Sequence, residues 1–388
     1  MDIAQLRLDT PGCRNRVHFN NAGAALAPRP VTDAMVAFLR LEAEIGGYEA
    51  AELSHELLER PYHAVAKLIG AQRSEIALAE SATRAWQMAF YSIPLSPGDR
   101  ILTTFSEYPG NYVALLHRAR QTGAEICIVP DDESGIVSLP ALRQMLDDRV
   151  RLIALTHVPT NNGLVNPAAE VGALAREASV LYLLDAAQSA GQMDLDVGRL
   201  GCHMLVATGR KYLRGPRGTG FLYVREDAIP RLEPPLLDWA SARFASLDSY
   251  EVMGDARRFE TWETSLAARV GLGVAVDYAL SLGMDAIWNR VSELAAYLRE
   301  RLSGIEGITV RDAGRVRCGL VTFSHARVRP RELCRRLAEA GINVYPRDVT
   351  PLDTAAGRTE PVVRASVNYY NDGEEVDQFC AAVAGICH

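Results

Sequence analysis

The 388-residue chain reads as an α/β protein built on a mostly parallel sheet. Three observations predict this. Val180–Leu184, Met204–Ala207 and Gly220–Val224 are short, continuous apolar runs of the kind that form strands covered on both faces. Ile101–Phe105 and Arg151–Thr156 repeat the pattern upstream, and helix-length segments separate these runs. Finally, the runs stop at small and polar loops, Asp185-Ala-Ala-Gln-Ser-Ala-Gly after one and Thr208-Gly-Arg-Lys211 after the next. Open α/β sheets hold their ligands at the carboxyl ends of such strands.

Composition narrows the class. Hydrophobic content of 48% and charged content of 23% are those of an ordinary globular protein, and the length suits two domains. A net charge of −7 with no basic cluster argues against nucleic acid. The seven cysteines are scattered, odd in number and without a CxxC pair, which suits free thiols in a reducing cytoplasm. The N-terminus carries no basic-then-apolar leader, and no uncharged run is long enough to span a bilayer, so neither export nor a membrane is expected.

A carboxylate and a lysine past the ends of neighbouring buried strands fit pyridoxal phosphate (PLP). A lysine amine forms a Schiff base with its aldehyde, and a carboxylate pairs with its pyridinium nitrogen. Asp185 and Lys211 are the candidates. The plainer reading is two solvated charges at strand ends.

The stretches DAAQSAG and ATGRKYLRGPRGTGFLYV closely resemble the cofactor signature of class V aminotransferases and cysteine desulfurases, of PLP fold type I. The separation of Asp185 and Lys211 is 211 − 185 = 26, as in that family. Arg210 stands where the family usually has His, and its permanently charged fork preserves phosphate binding. EAEIGGY, at 42–48, is similar to a string in hercynylcysteine sulfoxide lyases and their relatives, which include isopenicillin N epimerase-like proteins.

The resemblance implies further roles. Asn21 through Ala24, in the Gly- and Ala-rich turn after a strand at Val17–Phe19, match a segment whose backbone helps hold the substrate carboxylate. Ala82 and Thr83 open a helix and match a phosphate cradle, which a helix N-terminus can supply. Tyr108 takes the place of the ring-stacking His. It stacks as well but shuttles protons poorly near neutral pH, its ordinary pKa being about 10. Thr160 replaces a cofactor- or substrate-contacting Asn. Gln188 matches the donor to the cofactor phenolic oxygen, and Thr208 and Arg210 match phosphate ligands. Thr261 and Glu263 are the nearest candidates to reach a neighbouring subunit's phosphate, and a homodimer with the active site at its interface is implied.

Leu232–Asp255 reads as irregular. The C-terminal portion reads as helix 285–302, strands 308–311 and 319–324, helix 330–340, strands 342–345 and 362–366, and helix 372–385. Residues 26–265 are expected to form the large cofactor domain, with a mostly parallel seven-stranded sheet by resemblance. Residues 1–25 and 283–388 form a small α+β domain, and helix 266–282 connects the two. Arg364, in VRASVNYYN, matches the arginine that clamps the substrate α-carboxylate.

The loop Tyr345–Pro361 contains no cysteine, whereas cysteine desulfurases carry their nucleophilic thiol on a loop upstream of that arginine. A persulfide mechanism then lacks its acceptor. The expected activity is β-elimination on a cysteine S-conjugate or cysteine sulfoxide, releasing pyruvate and ammonia. Transamination and epimerisation of a small amino acid stay open, with desulfuration less favoured.

Overall fold

The computed structural model describes residues 1–387. A short strand β1 (Val17–His18) precedes the seven strands of the main sheet. These are β2 (Ile76–Ala79), β3 (Arg100–Thr104), β4 (Glu125–Val129), β5 (Val150–Thr156), β6 (Leu181–Asp185), β7 (Met204–Thr208) and β8 (Gly220–Val224). Their order is β2-β8-β7-β6-β5-β3-β4, and β8 alone runs against its neighbours. The apolar runs are strands because both faces are covered. Tyr182 and Leu184 enter one core and Leu181 and Leu183 the other, and Leu205 and Ala207 alternate with Met204 and Val206 in the same way. β3 and β5 run parallel, but the order in which the strands are laid down reverses between them, so the loops leaving their carboxyl ends diverge and open a crevice.

After β8 the structure departs from the sequence reading. Within the stretch expected to be irregular, β9 (Ala242–Ser246) and β10 (Ser249–Val252) form an antiparallel hairpin. Phe244 and Tyr250 point to solvent, so the hairpin lacks the inward apolar stripe by which strands are recognised. Helix Leu266–Leu282 follows, with Ser265 capping its first turn.

The C-terminal portion holds a separate antiparallel sheet of β11 (Ile308–Val310), β12 (Leu320–His325), β14 (Tyr345–Arg347) and β15 (Val362–Ser366), in the order β11-β12-β15-β14. The strand expected at 342–345 is split. Its first half, β13 (Ile342–Asn343), pairs in parallel with β1, while β14 pairs with β15. The two halves serve different sheets, and Pro346 is tolerated because β14 is an edge strand. The N-terminal segment is thus tied to the C-terminal portion, also through a bridge between Asn20 and Ser366. Among the described residues no single helix is long and apolar enough to cross a membrane.

Arg214 fastens the first segment to the loop that carries Lys211. It is fully buried, its Nε donates to the Leu26 carbonyl at 2.9 Å, and Nη2 donates to the Thr10 hydroxyl. The guanidinium lies 4.4 Å from the Tyr370 ring centre and 5.0 Å from that of Tyr369. Arg214→Met keeps much of the volume and removes these donors. Each charged hydrogen bond contributes about 1.5–3 kcal/mol, so the thermal midpoint should fall and the first 25 residues should become sensitive to protease. An unchanged midpoint would show that the tie adds no net stability.

Candidate active site

Four strand ends supply the crevice. Tyr108 follows β3, Thr160 follows β5, Asp185 ends β6, and Lys211 follows β7; all four line one cavity with Ala82 and Thr83. Its floor is Asp185, buried at the end of an apolar strand. Asn111 Nδ2 donates to Asp185 Oδ2 at 2.8 Å, and the Ala187 amide donates to Oδ1 at 2.9 Å. The same Asn111 amide group donates to Glu107 Oε1 at 2.9 Å. Glu107 is buried too, and also accepts from the hydroxyls of Thr156, at 2.6 Å, and Thr103, at 3.1 Å. Burial pushes the Glu107 pKa up, and the Asp185 charge adds to the effect.

Lys211 sits above this floor. The loop bearing it is pinned by Ala25 N–H donating to the Arg210 carbonyl at 2.9 Å and Arg214 N–H to the Lys211 carbonyl at 2.9 Å. Gly191, with φ +90°, lets the segment after Asp185 pass against the backbone of Tyr212 and Leu213, where a side chain would collide. Among the described residues the Lys211 amine has no hydrogen-bond or ion-pair partner. Burial lowers its pKa to about 7, with Asp185 opposing and Arg210 and Arg364 assisting. A substantial fraction is therefore the neutral nucleophile near neutral pH.

The helix Ala82–Tyr91 points its first turn at the cavity, capped by Ser81 accepting from Arg84 N–H at 3.1 Å. The amides of Ala82 and Thr83 stay unpaired among the described residues. Gly220 permits this approach, since a Cβ there would stand 2.7 Å from the Ser81 carbonyl carbon. Arg210 donates to the Gly23 carbonyl, and its guanidinium has no carboxylate partner among the described residues. Thr208 lines the cavity while its hydroxyl donates to the Thr219 carbonyl at 3.1 Å. Gln188 Nε2, the group expected to donate to the cofactor phenolic oxygen, donates instead to the Ala22 carbonyl at 3.1 Å, and its Oε1, an acceptor, is the atom left buried without a partner.

The predicted site residues do not all meet. Ala82, Thr83, Tyr108, Thr160, Asp185, Gln188, Thr208, Arg210 and Lys211 share the cavity. Arg364 adjoins it, donating to the Thr160 carbonyl at 3.4 Å and to Asn20 Oδ1 at 3.3 Å. Asn21 and Ala24 do not line it. The Asn21 side chain bonds internally to the carbonyls of His18 and Ser366 and accepts from Tyr370, so it ties β1 to β15 rather than facing a ligand. The Ala24 carbonyl is taken by His18 Nε2 at 2.8 Å. Asn20, Glu107, Asn111 and Thr156 were missed. For Glu107 and Asn111 a signal existed: two polar residues four apart at the start of a helix after a buried strand.

These groups fit PLP. The free lysine amine, the buried carboxylate, the unpaired helix amides, the uncompensated Arg210 and the orphaned Gln188 oxygen are donors and acceptors awaiting a polar, phosphate-bearing ring. The class-V aminotransferase family model matches residues 17–379.

The chain belongs to the class-V aminotransferase family.

It is accordingly a PLP-dependent enzyme of fold type I. A probable cysteine desulfurase from Xylella fastidiosa is 31% identical, over 98% of this chain and 95% of its own. The apo cysteine desulfurase of Thermococcus onnurineus superposes with a TM-score of 0.91 at 26% identity, covering 99% of this chain and 98% of that one. C-DES shares the fold, with a TM-score of 0.88 at 24% identity over 97% of this chain. One C-DES structure, covered to 98%, is of a mutant with glycine covalently linked to its PLP. Another, covered to 99%, is described as a cystine C-S lyase with its product cysteine persulfide.

For this class-V enzyme the Lys211 environment has a direct consequence. The rate at which the PLP-free protein takes up PLP should rise through about pH 7 and level off above it, because the amine attacks only when neutral. An exposed lysine would keep climbing past pH 9, toward its ordinary pKa of about 10.4. Lys211→Ala should abolish the borohydride-trapped adduct.

Proposed function

We propose that this class-V enzyme is a C–S lyase acting on a cysteine S-conjugate or cysteine sulfoxide. With water, β-elimination breaks the Cβ–S bond and yields pyruvate, ammonia and the departing thiol or sulfenic acid. One observation carries the reading: no cysteine lines the cavity. The thiols of Cys202, Cys318 and Cys334 are buried, and burial pushes the pKa of each to about 12, so each is held as an unreactive thiol. Cys13 and Cys380 are raised to about 11. The segment 345–361, which adjoins Arg364 through β14, has none.

Bound PLP supplies an electron sink for the bonds at the substrate Cα. Asp185 would keep the ring nitrogen protonated, through a carboxylate that Asn111 and Ala187 hold in place. Lys211, largely neutral above pH 7, takes the Cα proton at its Nζ. Arg364 holds the α-carboxylate, and Ala82, Thr83 and Arg210 bind the phosphate. We further propose a homodimer. The segment around the β9–β10 hairpin exposes Trp239, Phe244, Leu247 and Tyr250 together, an apolar group that an isolated subunit would leave in water.

The names of the relatives favour a second reading, cysteine desulfuration, and one experiment separates the two. Alkylating accessible thiols should leave pyruvate release from a cysteine S-conjugate within about twofold of the untreated rate. Loss of activity on modification of one cysteine, with a persulfide trapped there, would establish the desulfurase reading instead.

A further inference from the structure

Two arginines without carboxylate partners share one face of the small sheet. Tyr345 lies opposite Arg364 and Arg347 opposite Val362, so Arg347 and Arg364 are diagonal neighbours on that face. Arg364 is 5% exposed. Arg347 Nη2 and Arg364 Nε are each buried without a hydrogen-bond partner. Arg347 Nε donates to Asn161 Oδ1 at 2.7 Å, and Asn161 Nδ2 points on toward Asp353 at 3.4 Å, so an amide stands between Arg347 and the Asp353 carboxylate. The other arginines around Arg347 are matched: Arg311 by Glu360, and Arg358 by Asp131 and Asp353. Asp348, next in sequence, is taken by Arg331.

Two like charges this close cost free energy that the chain itself does not offset. Burial and then Arg347 lower the Arg364 pKa to about 10. The substrate α-carboxylate accounts for one of the two cations. Thr160 shows where the other faces. It lines the Lys211 cavity, meets Arg364, and lines a second small cavity together with Arg347. Beyond Arg347 a further cavity of about 290 Å³ leaves room for the distal part of a substrate; Asn162, Thr322 and Val362 wall it, and the carboxylates that reach it, Asp348, Asp353 and Glu360, are each paired with another arginine.

We propose that Arg347 binds a second carboxylate, carried on the sulfur-linked fragment, so that the enzyme selects doubly acidic amino acids. The planar fork of arginine matches a carboxylate. The identity of that fragment rests on the C–S lyase reading; the need for a second anion does not.

The test is the affinity of the PLP-loaded enzyme for two ligands of equal shape, S-carboxymethyl-L-cysteine and its neutral amide S-carbamoylmethyl-L-cysteine, by calorimetry. The unsubstituted enzyme should bind the acid at least tenfold more tightly. In Arg347→Gln that ratio should fall below threefold, and Arg347→Lys should restore part of it. A ratio near one in the unsubstituted enzyme, or one that survives Arg347→Gln, overturns the assignment. If instead Arg347→Gln weakens both ligands equally and shifts the oligomeric state, the guanidinium serves a subunit contact and the proposal is wrong. Pyruvate release from the sulfoxides of the same pair is read separately. Its absence with the affinity ratio intact would refute the lyase reading alone.

Discussion

A buried carboxylate at the end of an apolar strand is the constraint around which the site is arranged. Asp185 is held away from bulk water where an unpaired charge would be costly. Two donors fix it, the Asn111 amide and the Ala187 backbone. Asn111 is fixed in turn by Glu107, whose oxygens gather the hydroxyls of Thr103 and Thr156. Two carboxyl groups therefore share one amide beneath the cavity. Arg210 and the partly neutral Lys211 line the cavity, and Arg364 adjoins it through Thr160. A ring bearing a basic nitrogen and a phosphate would find a carboxyl group in Asp185 for the one and a guanidinium in Arg210 for the other.

The surrounding fold exists to keep those partners in register. Residues on different elements, from the N-terminal turn to β15, meet within one crevice, and small residues allow it. Gly220 brings the helix Ala82–Tyr91 against β8, and Gly191 lets the Asp185 loop lie against the Lys211 loop. The N-terminal segment is pinned from both sides, by Asn21 to β15 and by Arg214 to Thr10 and Leu26. Asn20 can then reach Arg364.

Much of the architecture was legible. Strands buried on both faces announce themselves as uninterrupted apolar runs, and β8 lies within the bounds read from sequence, Gly220–Val224. Helix Leu266–Leu282 has the bounds read from sequence. The β9–β10 hairpin was not, because its apolar side chains face outward and produce no core pattern. The break between β13 and β14 was hidden as well, since pairing with two different sheets leaves no mark in a continuous run of strand-forming residues. Within the site, Asp185 and Lys211 stood out because charge in such a place calls for explanation. The resemblance spoke for the backbone of Asn21–Ala24 and carried no hint that the Asn21 side-chain amide joins segments more than 340 residues apart. Glu107 carried a faint sequence signal, through its spacing to Asn111, whereas Arg347 gains meaning only in three dimensions, from the partner it lacks.

The role proposed for the Asp185 carboxylate is to set the protonation of the cofactor ring. Nitrogen-15 magnetic resonance of the enzyme loaded with ring-labelled PLP reads that state at the atom concerned. A protonated ring nitrogen is expected across neutral pH in the unsubstituted enzyme and an unprotonated one in Asp185→Asn, with PLP still bound. A ring nitrogen that stays protonated in Asp185→Asn, or is unprotonated in both proteins, would contradict it.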